Sequence, residues 1–347
     1  MVKMIRRKII NYKDVKLGDL DANVGISLGK GWDEHERIYA VPGFLIIGGQ
    51  KCGTSPLKTW LSIHPNLQTM PLESHFFDEV VDLEQDWRRY VINPYFYLRD
   101  PKHIYYTFEK TPDYLDKRNA HGVSVAELVK QMMPSGKFIV LLRNPTNRAH
   151  SIYKMRLRQQ ALPLQYSRIE DTNLRRLERG LCLQNQVFEA KKNFQTFDEV
   201  VRERIQAITT GNRCEAFTRE QMRMLTVGHY AEHLEEWFKH FDQNQFLILR
   251  TEEFHQDPFK VMRKVFEFLN LPYIDYSVMT CKRGRFHELL GHKVPSVEKL
   301  PFQEMSTDWI KPYLVDMNPE TKELLDGYFQ PWNEKLKALL PELTFPW

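Results

Sequence analysis

Residues 43–57 read GFLIIGGQKCGTSPL and combine an apolar run, a glycine-rich turn and the start of a helical pattern. The run 44–47 is typical of a buried strand, and the glycines that follow predict a tight turn. Ser55 suits the N-cap of a helix and Pro56 suits its first position. A helix N-terminus presents free N–H groups and partial positive charge, and Lys51 adds a full charge. The stretch therefore predicts an anion site.

This loop departs from the nucleotide-triphosphate loop Gly-x4-Gly-Lys-Ser/Thr. Lys51 precedes Gly53, and no lysine stands directly before Thr54 or Ser55. The loop is phosphate-binding in character but is not that of a standard ATPase or GTPase. The alternative is an ordinary strand-to-helix turn that happens to carry a lysine.

A second stretch, residues 138–153, repeats the strand–turn–helix pattern as FIVLLRNPTNRAHSIY. Asn144 suits a cap, and Pro145 suits the first helical position. Arg143 stands at the end of the strand, and Ser151 lies about two helical turns further on. Two strand ends in one sheet, each with a cationic donor, suit a ligand with two separated phosphate groups.

Both stretches resemble motifs of the sulfotransferases, whose sulfuryl donor is 3′-phosphoadenosine 5′-phosphosulfate (PAPS). GGQKCGTS at 48–55 resembles their 5′-phosphosulfate loop, and LRNPTNRAHSIY resembles their 3′-phosphate motif. Three further stretches, ESHFFD at 73–78, EKTP at 109–112 and KRGRFH at 282–287, are similar to the carbohydrate, heparan-sulfate type of the family. The resemblance runs from about residue 42 to the C-terminus.

The resemblance implies a set of donor-binding residues. It places Lys51 at the bridging oxygen of the donor and Arg143 with Ser151 at the 3′-phosphate. The remaining residues of this set form the 5′-phosphate cradle (Gly53, Thr54 and Ser55, with Cys52 filling the tight loop) and a basic lid (Arg283, Gly284 and Arg285).

The resemblance also implies the catalytic set Glu73, Lys51, His75 and Lys110. Glu73 is the expected general base, which takes a proton from the acceptor. His75 and Lys110 are expected to orient the acceptor or to stabilise the transferring sulfuryl group. The alternatives are a core histidine at 75 and a simple ion pair between Lys110 and its neighbour Glu109.

Alternating strands and helices predict an α/β fold, with a P-loop-like parallel central sheet flanked by helices in a single domain. The predicted strands are 44–48, 105–108, 138–143 and 246–249, and the predicted helices are 56–63, 123–133, 145–160, 258–269 and 319–340. Ligands of such sheets bind at the carboxyl ends of the strands. We expect a sulfotransferase domain over 42–347 and, before it, an N-terminal extension over 1–41, which packs on the domain or covers a cleft.

Composition excludes several classes of protein. A formal charge of +4 over 347 residues does not suggest a nucleic-acid binder. No apolar run is long enough to span a membrane, and the basic N-terminus lacks the apolar core of a signal peptide. Its start at Met1 and four scattered cysteines favour a cytoplasmic protein. The alternative is a Golgi-lumen enzyme whose anchor has been removed.

The predicted function is sulfuryl transfer from PAPS to a hydroxyl or amine of a carbohydrate or small metabolite. Lysine and arginine supply the charge that stabilises the transferring group, so no metal is expected. The alternative is a P-loop small-molecule kinase, which shares the strand–turn–helix but requires magnesium.

Overall fold

The computed structural model describes residues 8–11, 13–17, 20, 24–28, 37–93, 95–98, 102–161, 195–210, 219–274 and 314–347. The chain divides into two compact units. The first comprises residues 1–143 and 230–292, and the second comprises 144–229 and 293–347.

The first unit begins with a small sheet of three strands. The strands are β1 (Lys8–Asn11), β2 (Val24–Ser27) and β3 (Ile38–Ala40). β2 is the middle strand, parallel to β1 and antiparallel to β3. The predicted extension over 1–41 therefore contains regular strands, which its charged and weakly periodic sequence does not indicate.

The centre of the first unit is a parallel sheet of five strands. They are β4 (Pro42–Gly48), β5 (Leu67–Thr69), β6 (Tyr106–Lys110), β7 (Lys137–Leu142) and β8 (Phe246–Arg250). Their order is β5-β6-β4-β7-β8, and every neighbouring pair is parallel. All five strands therefore end at the same edge. The predicted parallel α/β fold is confirmed.

The central position of β4 follows from its composition. Every residue of this strand is buried, as expected for a strand covered on both faces. The ring of Phe44 stacks on that of Phe108 of β6 with centroids 4.7 Å apart. The stacked rings thus join β4 to its neighbour β6 in the interior.

Helices of the first unit follow the strands. They are α1 (Thr54–Leu61), α2 (Phe76–Glu79), α3 (Leu83–Val91) and α4 (Val125–Met132) and, further along the chain, α8 (Tyr230–Phe238), α9 (Thr251–Gln256) and α10 (Pro258–Leu269). A 3-10 turn, Pro112–Leu115, follows β6. α3 lies in a stretch whose Trp, Tyr, Pro and Arg content favours irregular structure, and Asp82 caps it by accepting a hydrogen bond from the Gln85 N–H.

The second unit is helical in its described residues. Its helices are α5 (Pro145–Ala161), α6 (Phe197–Thr209), α7 (Arg219–Thr226) and α11 (Pro319–Leu339). Ile152, Leu225 and Phe329 lie in one apolar cluster of this unit. Asn144 caps α5 as predicted, because its side chain accepts a hydrogen bond from the Asn147 N–H at 3.0 Å.

Gly43 of β4 gives a test of how tightly the central strands pack. A Cβ added at Gly43 would lie 2.2 Å from the ring atom Cδ1 of Tyr106. We expect Gly43→Ala to lower the free energy of unfolding by about 1–3 kcal/mol, as overpacked sites do. Urea denaturation followed by circular dichroism measures the change.

Gly327 of α11 provides the matched control, since a Cβ there meets nothing within 4 Å. Gly327→Ala should leave stability unchanged or raise it by up to about 1 kcal/mol, because alanine favours a helix interior. Equal effects of the two substitutions would contradict the tight approach of Tyr106 to β4.

Candidate active site

The loop after β4 leads directly into α1. α1 begins at Thr54 with Gly53 as its N-cap in the left-handed region, at φ 86°. The prediction of Ser55 as the N-cap is wrong by two residues, because Gly53 adopts the left-handed turn and lets the helix begin earlier. No side chain caps α1 and no acidic residue lies in its first turn, so the helix itself supplies no carboxylate to its N-terminal N–H groups.

Two non-glycine residues of the candidate site have unusual backbone. Lys51 has φ 67° and His75 has φ 52°. Such conformations are uncommon in residues with a Cβ and concentrate at functional sites. Both residues are members of the catalytic set predicted from the sequence.

Glu73 and Lys110 meet beside the loop. The Lys110 ammonium forms an ion pair with Oε1 of Glu73 and donates to the Ser55 hydroxyl at 3.2 Å. The Lys110 side chain is 7% exposed, whereas that of Glu73 is 35% exposed. One buried cation therefore joins the candidate base, which is partly exposed, to the candidate phosphate loop. Lys110 does not pair with Glu109.

His75 stands between two carboxylates. Its Nε2 lies 3.4 Å from Oε2 of Glu73, and its Nδ1 lies 3.1 Å from Oδ2 of Asp78. Burial lowers the pKa of His75, but hydrogen bonds to Asp78 and Glu73 and the charges of Asp78 and Asp113 raise it to about 10. His75 is therefore an imidazolium at neutral pH, and both ring nitrogens donate.

The same contacts keep Glu73 ionised. Burial raises the pKa of Glu73, yet the hydrogen bond from His75 and the charge of Lys110 hold it below its usual range. A carboxylate that is charged at neutral pH is in the correct form to accept a proton. Glu73 and His75 thus lie in direct contact.

Lys117 forms ion pairs with two carboxylates close to His75. Lys117 lies 3.1 Å from Asp78 and 3.0 Å from Asp113. His75, Asp78 and Asp113 bring potential metal-ligating atoms within 4.8 Å of one another. Because the Lys117 ammonium already bridges the two carboxylates, it occupies the role that a cation would take in this group.

Arg143 follows β7 at the same edge of the sheet. Its Nη1 donates to the Lys51 carbonyl at 3.3 Å, so the guanidinium lies beside the loop after β4. Lys110 ends β6, and Lys51 and Arg143 follow β4 and β7, so all three residues lie at one edge of the parallel sheet.

Glu109 points away from this edge into the interior. It is fully buried, and neither carboxyl oxygen has a hydrogen bond of full geometry among the described residues. Burial raises its pKa to about 7, although the nearby hydroxyls of Tyr114, Tyr90 and Ser74 act in the opposite direction. Successive side chains of β6 point to opposite faces of the sheet, so Glu109 enters the interior while the adjacent Lys110 reaches Glu73 and Ser55.

Lys58 is a site residue that the sequence interpretation missed. It lies one turn after Ser55 on α1 and donates to the Pro71 carbonyl, two residues before Glu73. Burial and the neighbouring Lys110 lower its pKa to about 8, against the opposing effect of Glu73. Lys58 follows Ser55 by three residues on α1, so the two lie on the same face of the helix, and this spacing is the signal that could have revealed it.

The remaining predicted residues are Ser151, the basic segment 283–285 and Cys52. Ser151 lies in α5 of the second unit and is partly buried. Arg283, Gly284 and Arg285 lie outside the described residues. Cys52 is buried in the loop with its Sγ 3.5 Å from the Tyr230 hydroxyl, in keeping with a small residue that fills a turn.

The sulfotransferase domain model matches residues 42–339. The chain belongs to the sulfotransferase family. The resemblance of its motifs to those of sulfotransferases is confirmed. The match favours a sulfotransferase enzyme over the alternative, a P-loop kinase. A crystal structure of a sulfotransferase from Alicyclobacillus acidocaldarius has the same fold, with a TM-score of 0.51 and 21% identity over 87% of this chain and 96% of that one.

Curated relatives of this sulfotransferase domain include heparan sulfate enzymes. Bifunctional heparan sulfate N-deacetylase/N-sulfotransferase 3 of Homo sapiens is 26% identical over 333 residues, which are 90% of this chain and 33% of that protein. Heparan sulfate glucosamine 3-O-sulfotransferase 3B1 of Homo sapiens is 27% identical over 253 residues, which are 72% and 50% of the two chains. The chain thus spans a third to a half of the length of these relatives. Among the residues that the structure describes, no helix combines the length and apolar character needed to cross a bilayer.

The buried carboxyl of Glu109 predicts a pH dependence of stability. Its pKa of about 7 in the folded protein lies above the usual 4.5, so the folded state binds more protons between these values. Stability from this group is therefore present at low pH and is lost as pH rises toward and through 7, by about 3 kcal/mol in total. Glu109→Gln should remove this part of the profile, measured by urea denaturation from pH 5 to pH 8.

Glu236 of α8 is the control, because the hydrogen bond from Lys239 lowers its pKa and its contribution has the opposite sign. Above pH 6 that group is ionised whether the chain is folded or not, so Glu236→Gln should keep the wild-type slope. A Glu109→Gln profile parallel to wild type would show that Glu109 does not titrate in this range.

Proposed function

We propose that the site transfers a sulfuryl group from PAPS to a hydroxyl or amine of a carbohydrate or small metabolite. The observation that carries the proposal is the Lys110 ammonium, which binds the Glu73 carboxylate and the Ser55 hydroxyl at once. This contact places a candidate general base next to a candidate anion loop. The relatives named for heparan sulfate support a carbohydrate acceptor.

The donor is a polyanion, and the residues present fit it. Lys51, Lys58, Lys110 and Arg143 bring positive charge to one edge of the sheet, and the Glu73 carboxylate pairs with Lys110. The first turn of α1 adds N–H groups without an acidic neighbour. Lys51, Gly53, Thr54 and Ser55 would hold the 5′-phosphosulfate, and Arg143 would hold the 3′-phosphate.

The protein's own groups then have distinct tasks. Glu73 accepts the proton of the acceptor as the new bond to sulfur forms and the bond between sulfur and the bridging phosphate oxygen breaks. The phosphate leaves with that electron pair, and Lys51 stabilises its charge. The imidazolium of His75 and the ammonium of Lys110 fix both oxygens of Glu73 and stabilise the equatorial oxygens of the transferring group.

Ligand binding tests the donor site. Adenosine 3′,5′-bisphosphate should raise the melting temperature, because a ligand that binds only the folded state stabilises it. ATP with magnesium should raise it much less, and the reverse order would instead support the kinase. Arg143→Ala should weaken the bisphosphate by about 10- to 100-fold, the range for a hydrogen bond to a charged group.

Adenosine 5′-monophosphate and Arg89→Ala are the controls for Arg143. The monophosphate lacks the group that Arg143 would bind, so its affinity should change little in Arg143→Ala. Arg89 is an exposed arginine of α3, and its removal should alter neither ligand. Equal losses for both nucleotides in Arg143→Ala would refute a specific role at the 3′-phosphate.

The general base is tested by Glu73→Gln. The amide keeps the shape of the side chain but cannot take a proton, so turnover should fall by about 10²- to 10⁴-fold. Binding of adenosine 3′,5′-bisphosphate should remain close to wild type. Transfer of radiolabelled sulfate from PAPS to a panel of glycan and small-molecule acceptors measures turnover.

Glu79 supplies the matched variant, since it is an exposed glutamate of α2 six residues away. Glu79→Gln should transfer sulfate at the wild-type rate. Turnover that survives in Glu73→Gln would assign the base to another group.

A further inference from the structure

Thr251 joins the two predicted anion-binding turns. It is the first residue of α9, directly after β8, and is 2% exposed. Its hydroxyl lies 2.6 Å from the Cys52 carbonyl and 3.0 Å from the Leu142 carbonyl. Cys52 belongs to the loop after β4 and Leu142 ends β7, so one side chain on a third strand end contacts both turns.

The methyl group of Thr251 faces Gly53 of the loop, since a Cβ added at Gly53 would lie 3.5 Å from Cγ2 of Thr251. A substitution can therefore remove the hydroxyl of Thr251 while it keeps the methyl group beside the loop.

Tyr230 makes a second connection of the same kind. Its hydroxyl donates to the Arg143 carbonyl at 2.9 Å and lies 3.5 Å from Sγ of Cys52. The Gly49 N–H donates to the Leu141 carbonyl at 2.7 Å. Backbone and side-chain contacts thus fasten the loop to the end of β7 at several points.

We propose that Thr251 is a positioning residue that sets the separation of the two turns and so favours ligands with two phosphate groups at a fixed distance, with Tyr230 in the same role. The inference rests on the proposed function. The two phosphates of a nucleoside bisphosphate are held apart by the ligand's own covalent structure. A protein that fixes the matching separation loses less entropy on binding the second phosphate. A single phosphate engages one turn and gains nothing from that separation.

The test compares Thr251→Val with Thr251→Ser by calorimetric titration. Valine keeps the shape of the side chain and its methyl group but removes the hydroxyl, whereas serine keeps the hydroxyl. The probes are adenosine 3′,5′-bisphosphate, adenosine 5′-monophosphate and adenosine 3′-monophosphate. We expect Thr251→Val to weaken the bisphosphate about tenfold, the loss of one hydrogen bond, and each monophosphate by less than about threefold. Thr251→Ser should restore the wild-type ratio.

Tyr230→Phe repeats the test from the other side of the loop and should lower the same ratio. If Thr251 only satisfied buried carbonyls, Thr251→Val would lower stability and either leave all three affinities unchanged or weaken them in parallel. Either pattern would overturn the inference. If the wild-type protein did not bind the bisphosphate, both the proposed function and the role of Thr251 would be refuted. If the wild-type protein binds it and only the expected change of ratio is missing, the role of Thr251 alone is refuted.

Discussion

Parallel pairing of β6, β4 and β7 is the constraint on which the site depends. Parallel strands end at one edge, so the residues that follow or finish them must meet there. In this chain those residues are Lys110, the loop containing Lys51, and Arg143. Hydrogen bonding within the sheet therefore collects cations that mutual repulsion would otherwise separate.

Charged neighbours act on the lysines at this edge. Glu73 neutralises Lys110, and the pKa of Lys58 is lowered to about 8, first by burial and next by the nearby Lys110. The N-terminus of α1 adds further positive potential. Cations held together at one edge repel one another, and a bound polyanion would offset that repulsion, which links the electrostatics of this edge to the donor that we propose.

The sequence predicts the site where local patterns decide its structure. Short motifs predict the loop after β4, the cap at Asn144 and the ends of the strands that carry the site. The prediction fails where tertiary context decides: β5 has only three residues and is a strand because it pairs with β6. The burial of Glu109 follows from strand alternation within a sheet, and the approach of Lys58 to Pro71 joins segments that only folding brings together. The lid residues 283–285 lie outside the described part of the chain, so their role stays a prediction.

The N-terminal strands have a consequence for where this protein can be divided. The family match begins at residue 42, yet the Ala40 N–H donates to the Phe96 carbonyl, the Leu98 N–H to the Ile38 carbonyl, and the Thr107 hydroxyl to the Ala40 carbonyl. A fragment cut at residue 42 would leave these buried polar groups of the remaining chain without partners. The segment matched by the family and the segment that folds together therefore begin at different residues. β3 belongs to the folding segment although it precedes the family match.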